Sequence, residues 1–225
     1  MLPAKLIDLL ERYFYFFMSL LIGAIVVYGF GQTIEHRLIH PSHPKPFLLS
    51  IHAAIFAAWV LFFILQSTLV RTGKVPTHRL LGWFGAALGL VVVVVGIITA
   101  VTMRRFDLQY PDLARTAPLL RTALLDLASF GVPLALAVYW RKKPEFHRRL
   151  VLIAACGLTA AAFVRFPSLF HPWPWYYVGV DMLVLLGVLR DLIVSRRVHP
   201  VYLCALPILI VAQFITMNTI MHFWP

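Results

Sequence analysis

Long runs of apolar residues alternate along the chain with short joints that are charged or rich in proline. The apolar runs cover residues 13–31, 47–70, 80–103, 117–140, 150–166, 175–189 and 201–223. Most of them are about twenty residues long, and none alternates apolar with polar residues as a half-buried strand does. Because lipid offers no water to unpaired backbone groups, such runs cross a bilayer as helices. The pattern predicts an all-α bundle of about seven transmembrane helices in which residues 1–225 form a single domain.

The composition of the chain agrees with a location in lipid. Hydrophobic residues make up 61% of the 225 positions, charged residues only 13%, and the mean hydropathy is +0.84. A soluble domain of this length does not bury so much apolar surface. We therefore expect the lipid bilayer to be the main partner. The first run follows charged residues and lacks a small-residue cleavage site, so we interpret it as a retained span.

The basic residues of the chain predict its orientation in the membrane. The formal net charge is +11 and the isoelectric point is about 10.2, values that favour nucleic-acid binding in a soluble protein. Here the cations lie in short joints between apolar runs, so we expect no nucleic-acid partner. Thirteen of the 20 lysines and arginines fall on one face when successive joints are assigned to alternate faces. The positive-inside rule then places the N-terminus in the cytoplasm and the C-terminus outside.

Ionisable residues inside the apolar runs gather toward the predicted outer ends. Such groups are costly in lipid and usually face the interior of a bundle. A structural explanation is open for each of them, with His52 bonded to Asp126 and Arg165 paired with Asp181. Taken together, they exceed what helix packing needs and predict a site that opens outward. The candidate catalytic residues are His52, Asp126, Arg165 and Asp181.

Histidines in and near the outer joints extend this layer. His36 and His40 are four residues apart and share one face if the first helix continues past its apolar run, with Glu35 beside them. The candidate metal ligands are Glu35, His36, His40, His52, His171 and His222. A donor set rich in imidazole nitrogen suits zinc, iron or copper. Asp126 would orient the ring of His52.

Two further histidines, His78 and His147, follow basic joints on the predicted cytoplasmic face at equal depth. One interpretation makes them interfacial residues at helix starts. The alternative is that they bind haem b, which is the second choice of cofactor after a transition-metal ion.

The stretch from His52 to Gly82 contains Trp59, Gln66 and the segment H-R-L-L-G at its end. It resembles small bacterial inner-membrane proteins of no established function that carry a similar H-R-x-L-G helix start. The resemblance covers about 30 of the 225 residues. It implies a bacterial inner (plasma) membrane and no particular activity.

Three functions follow from these residues and stay open at this point. The first is a membrane metalloprotein, such as an oxidoreductase, with its site facing outward. The second is a transporter, or a protein that binds lipid or another small molecule, in which Arg165 holds a carboxylate or phosphate. The third is a structural or assembly factor whose polar layer serves packing alone. The sequence identifies no protein partner.

Overall fold

The computed structural model describes residues 4–110, 112, 120–166 and 176–223, apart from the side chains of residues 4, 6 and 219–223. All regular structure in these residues is helical, as predicted. The helices are α1 (Ala4–Gly31), α2 (Leu48–Arg71), α3 (Val75–Asp107), α4 (Leu120–Tyr139), α5 (Pro144–Gly157), α6 (Ala160–Phe163), α7 (Tyr176–Ser195) and α8 (Pro200–Phe223). A short π-helical turn, Glu35–Ile39, lies between α1 and α2.

Six helical segments of the described residues are long and apolar enough to cross a bilayer. They are Ile7–Gly31, Leu48–Arg71, Val75–Asp107, Leu120–Tyr139, Pro144–Phe163 and Pro200–Asn218. The sixth predicted run, 175–189, corresponds to α7, which has 20 residues but carries Asp181, Arg190 and Asp191. The fold is that of a multi-pass membrane protein.

Proline and glycine set the tight joint between α2 and α3. Gly73 has a φ of +77°, in the left-handed region that glycine enters without steric cost. Its conformation allows the amide of Lys74 to donate to the carbonyl of Leu69 at 2.8 Å, which closes the end of α2. Pro76 then lies in the first turn of α3, where a missing N–H costs nothing.

The central helix of the bundle is α5. It packs against α1, α4, α7 and α8, and its residues from Arg149 to Gly157 are buried except for Val151. The outer helices keep large apolar side chains exposed where lipid would contact them, for example Leu61, Leu80 and Leu90. Burial on nearly all sides explains why α5 needs apolar residues all round.

The fifth predicted run is not one continuous helix, because α5 ends at Gly157 and the short α6 begins at Ala160. The buried hydroxyl of Thr159 donates to the carbonyl of Cys156 at 2.6 Å. Gly157 allows close contact with α4, since a Cβ atom there would lie 2.9 Å from the carbonyl oxygen of Ser129. The interruption is therefore held inside the bundle, where lipid does not meet its freed backbone groups.

Candidate functional site

His52 and Arg165, two of the predicted catalytic residues, lie within electrostatic range of each other. The ring of His52 packs on that of Phe56, with centres 4.0 Å apart, and its Nδ1 has no hydrogen-bond partner among the described residues. Arg165 follows α6 and donates from Nε to the hydroxyl of Thr33 at 3.1 Å. Its guanidinium lies 4.3 Å from the ring centre of Phe30. Arg165 therefore ties the end of the fifth run to the end of α1.

The two predicted acidic residues have separate partners. The hydroxyl of Tyr177 donates to Asp126 at 2.9 Å, which joins α7 to α4. The amide of Gln213 donates to Asp181 at 3.1 Å, which joins α8 to α7. No hydrogen bond or ion pair between described residues joins any two of the four predicted catalytic residues, which are His52, Asp126, Arg165 and Asp181.

Part of the predicted metal site lies in the π-helical turn after α1. Glu35 and His40 are in contact, with 2.6 Å between Oε1 and Nδ1, and both side chains are more than half exposed. His36 is exposed in the same turn. His171 and the side chain of His222 lie outside the described residues. Within the described ranges, no three His, Cys, Asp or Glu side chains lie close enough together to hold a metal ion, so metal binding stays a prediction.

Contacts of buried charges concentrate at the opposite end of the bundle, where α5 begins and α7 ends. Nε and Nη2 of Arg149 donate to the two carboxylate oxygens of Asp191, each at 2.7 Å. The third nitrogen, Nη1, donates to the carboxylate and to the backbone carbonyl of Glu145, again at 2.7 Å. Relative exposure is 2% for Arg149 and 0% for Asp191. We call the residues at this end the arginine cluster: Tyr15, Glu145, Arg148, Arg149, Arg190, Asp191 and Tyr202.

Arg190 is the least satisfied member of the arginine cluster. Its Nη1 donates to Asp191 at 3.1 Å, but Nε and Nη2 have no hydrogen-bond partner among the described residues. Its side chain is only 1% exposed. The buried hydroxyls of Tyr15 and Tyr202 also have no described partner, and the guanidinium of Arg190 lies 5.7 Å from the ring centre of Tyr15. With Nε of Arg148 included, five buried polar atoms of the arginine cluster thus have no hydrogen-bond partner among the described residues.

The charges of the arginine cluster do not balance. Glu145 is 54% exposed and is shared between Arg148 at 2.6 Å and Arg149 at 2.7 Å. With Arg190 and Asp191 included, three guanidinium groups face two carboxylates. A buried charge without a counter-charge costs several kcal/mol. Free donors beside an excess positive charge are the chemistry that binds an anion.

The sequence interpretation missed the arginine cluster because it counted Arg149 and Arg190 as cations of cytoplasmic joints. A signal was present in the helical phase. Arg149 lies three, four and seven residues before Leu152, Ile153 and Cys156, which are fully buried on one face of α5. An arginine in phase with a buried apolar face is a candidate for function or for a buried ion pair.

Similarity to known proteins adds nothing to this geometry. No protein-family model, curated protein or solved structure matches the chain. The functional conclusion therefore depends on the contacts, burial and charge of the residues themselves.

Proposed function

We propose that the protein binds a small anionic molecule through a phosphate or carboxylate group at the arginine cluster, as a transporter or lipid-handling membrane protein. The observation that carries the proposal is Arg190, which is 1% exposed and has two nitrogens without a described partner. Planar guanidinium donors suit the paired oxygens of carboxylate and phosphate. The hydroxyls of Tyr15 and Tyr202 would donate to the same anion. One bound negative charge would balance the excess positive charge of the cluster.

The interruption between α5 and α6 favours transport within this class. Discontinuous helices are common in transporters, where they bring backbone groups to a binding site or allow one part of the bundle to move. In this chain the interruption lies less than one turn beyond Cys156, on the same central helix that carries Arg149. A change at the arginine cluster and a change at the interruption would therefore be coupled through one rigid segment, α5.

The proposal includes α7 as a seventh span. Tyr177 at its start contacts Asp126 near the start of α4, and Asp191 near its end contacts Arg149 at the start of α5. The end of α4 lies next to the beginning of α5. These contacts therefore support an arrangement in which the two ends of α7 lie at opposite ends of the bundle. A helix of 20 residues is roughly 30 Å long, which matches a hydrocarbon core.

Orientation follows from the same arrangement. We place the arginine cluster at the cytoplasmic face of a bacterial inner membrane, with the N-terminus inside and the C-terminus outside, by the positive-inside rule. Cation contacts at this end link different joints, since Arg71 lies over Tyr13 and both Arg148 and Arg190 lie near Tyr15. These contacts support the assignment of the joints that carry Arg71, Arg148 and Arg190 to one face of the membrane.

Ligand-dependent stability tests the proposal. Purified protein in detergent would be unfolded thermally with phosphate, sulfate, succinate or chloride at constant ionic strength, and in parallel with phosphatidylglycerol to separate a lipid headgroup from a free anion. A bound anion at about 100 times its dissociation constant stabilises the native state by about 2.7 kcal/mol. Arg190→Gln should abolish this response. The matched control is Arg197→Gln, an exposed arginine at the same end, which should preserve it.

The outcomes separate the functional classes. Uptake of the stabilising anion into proteoliposomes, lost in Arg190→Gln, would support a transporter, and stabilisation by phosphatidylglycerol alone would support lipid handling. An equal response in the two arginine variants, or no response to any anion or lipid, would reject the site. In that case the structural or assembly function would be the better explanation of the buried ion pairs.

A metal-dependent oxidoreductase is the second candidate function, supported by the contact of Glu35 with His40 at 2.6 Å. A carboxylate that orients an imidazole in this way is common around protein-bound metals. Elemental analysis of protein purified without chelator tests it. Stoichiometric zinc, iron or copper that is lost in His40→Ala but kept in His43→Ala would support the outer site, and metal-free wild-type protein would reject it.

A further inference from the structure

His78 and His147 lie close together at the end of the bundle that carries the arginine cluster. Their ring centres are 6.2 Å apart, and the ring planes are inclined by 72°. Each is the fourth residue of its helix, His78 in α3 and His147 in α5. Both side chains are half-buried. The equal depth expected from the sequence thus corresponds to a pair in space.

The hydrogen bonding of the pair leaves ring nitrogens available. Nδ1 of His147 lies 2.9 Å from the backbone carbonyl of Ala137. A carbonyl only accepts hydrogen bonds, so Nδ1 carries a hydrogen, and in the neutral ring Nε2 then has a lone pair. Nδ1 of His78 is buried without a hydrogen-bond partner among the described residues. Histidines that bind metals commonly donate their other ring nitrogen to a carbonyl in this way.

The separation of the rings fits one metal ion between them. A metal–imidazole bond is about 2 Å long and a ring nitrogen lies ~1.1 Å from the ring centre, so two rings on opposite sides of one ion have centres roughly 6 Å apart. The observed distance between His78 and His147 is 6.2 Å. The steep inclination of the planes makes the pair edge-to-face rather than stacked.

The charges around the pair indicate whether a bare metal ion or a metal in a macrocycle would bind there. Arg79 and Arg148 adjoin the two histidines in sequence, and no acidic side chain contacts either ring among the described residues. The guanidinium of Arg141 lies 4.9 Å from the ring centre of Trp83 in the same region. Positive neighbours oppose a bare divalent cation. They favour iron held in a macrocycle that carries its own negative charge and two carboxylates.

We infer that His78 and His147 are the axial ligands of a haem b, with the haem carboxylates directed to the surrounding arginines. The axial ligands differ from the groups proposed to bind the anion at Arg190, since the haem site uses neither Tyr15 nor Tyr202, and Arg148 is the member of the arginine cluster that adjoins it. Two imidazoles on opposite sides of the iron give a six-coordinate, low-spin haem.

Absorption spectroscopy tests the site directly. Detergent-purified protein would be titrated with haemin and then reduced with dithionite. We expect saturation at one haem per chain and a low-spin, six-coordinate spectrum in both redox states. His78→Ala and His147→Ala should each lose the low-spin spectrum. His147→Met keeps an axial ligand and should change the band positions while retaining haem. The matched control is His199→Ala, a histidine at the same end whose ring contacts Phe146 at 4.7 Å, and its spectrum should be that of the wild type.

Three results would overturn the inference. The first is no saturable haem binding by wild-type protein whose circular dichroism and thermal unfolding show it to be folded. The second is adventitious haem only, seen as a spectrum that both alanine variants share with the wild type. The third is stoichiometric binding of Zn²⁺ or Cu²⁺ by the pair in calorimetry without any low-spin haem spectrum, which would make it a site for a bare ion.

Discussion

Arg149 and Asp191 form a fully buried two-point ion pair that joins α5 to α7 across 42 residues of sequence. Two parallel bonds of 2.7 Å fix both the height and the rotation of α7 against the central helix. A buried ion pair is not by itself strongly stabilising relative to apolar residues of the same shape. Removing one partner, however, leaves the other charged and desolvated, and the two partners differ in what they leave behind.

Asp191→Asn should be more destabilising than Arg149→Met. Without the carboxylate, Arg149 and Arg190 face each other as two buried cations, and the loss should be about 3–5 kcal/mol. Without Arg149, the carboxylate of Asp191 still accepts from Arg190, which lies 3.1 Å away, so the loss should be smaller. Thermal unfolding in mixed micelles measures both variants.

Glu145→Gln serves as the control for this comparison. Glu145 is 54% exposed, and an ion pair that water screens contributes at most about 1 kcal/mol. Its replacement should therefore shift stability only slightly. If Arg149→Met proved as damaging as Asp191→Asn, the bond between Arg190 and Asp191 would not compensate as proposed.

A second prediction concerns two glycines on α1. A Cβ atom at Gly29 would lie 2.5 Å from the backbone oxygen of Ala162, whereas one at Gly31 would meet nothing within 4 Å. Backbone does not move aside as the end of a side chain does, so Gly29→Ala should cost about 1–3 kcal/mol through overpacking. Gly31→Ala should be neutral. Unfolding midpoints of the two variants measure the difference, and equal midpoints would mean that α1 and α6 are not in close contact.

The sequence predicted the helices well because span length and hydropathy are properties of the chain itself. The helical spacing of residues in α7 also carries a signal for its buried face. Along that face lie Val180, Leu183, Val184 and Gly187, followed by Arg190. The contact partners of the polar residues could not be predicted as well. Depth along a span does not give rotation about its axis. Asp126 and His52, which we expected at similar depth, therefore have different contacts, with Tyr177 and Phe56 respectively.

The interruption of the fifth run could not be predicted from the sequence pattern, for a different reason. Helix breaks are usually predicted from proline, and the segment from Gly157 to Ala160 has none. The break depends on contacts from other helices, including the close approach of Ser129 to Gly157. Such tertiary contacts leave no periodic signal in the chain.

The third prediction compares two replacements of Asp126, the acid that accepts from Tyr177 at 2.9 Å. Asp126→Asn retains an oxygen acceptor for the hydroxyl, whereas Asp126→Ala leaves the hydroxyl without it. A lost hydrogen bond costs about 0.5–1.5 kcal/mol, so the alanine variant should be the less stable of the two. Tyr177→Phe in the Asp126→Ala background should then cause little further loss. An additive effect of the two changes, measured as a double-mutant cycle, would show that the two side chains do not interact.

The last prediction concerns pH and His199, which precedes α8 and lies outside the spans. Its Nδ1 accepts from the backbone amide of Val201 at 3.3 Å, so the folded state holds the ring neutral. Burial, followed by the positive charge of Arg149, lowers the pKa of His199 below its usual 6.5, against the opposing effect of Asp191. The unfolded chain therefore binds the proton more readily than the folded protein does. The stability from the neutral ring is fully present above pH 6.5 and is lost as the pH falls toward the folded pKa, by at most about 1.4 kcal/mol per pH unit.

His199→Asn retains a side-chain acceptor for the amide but does not titrate, so its unfolding midpoint should fall less than that of the wild type between about pH 7 and pH 5. His36→Asn, at an exposed position on the other face, should keep the wild-type slope, and a His199→Asn slope equal to it would show that the proton binds elsewhere.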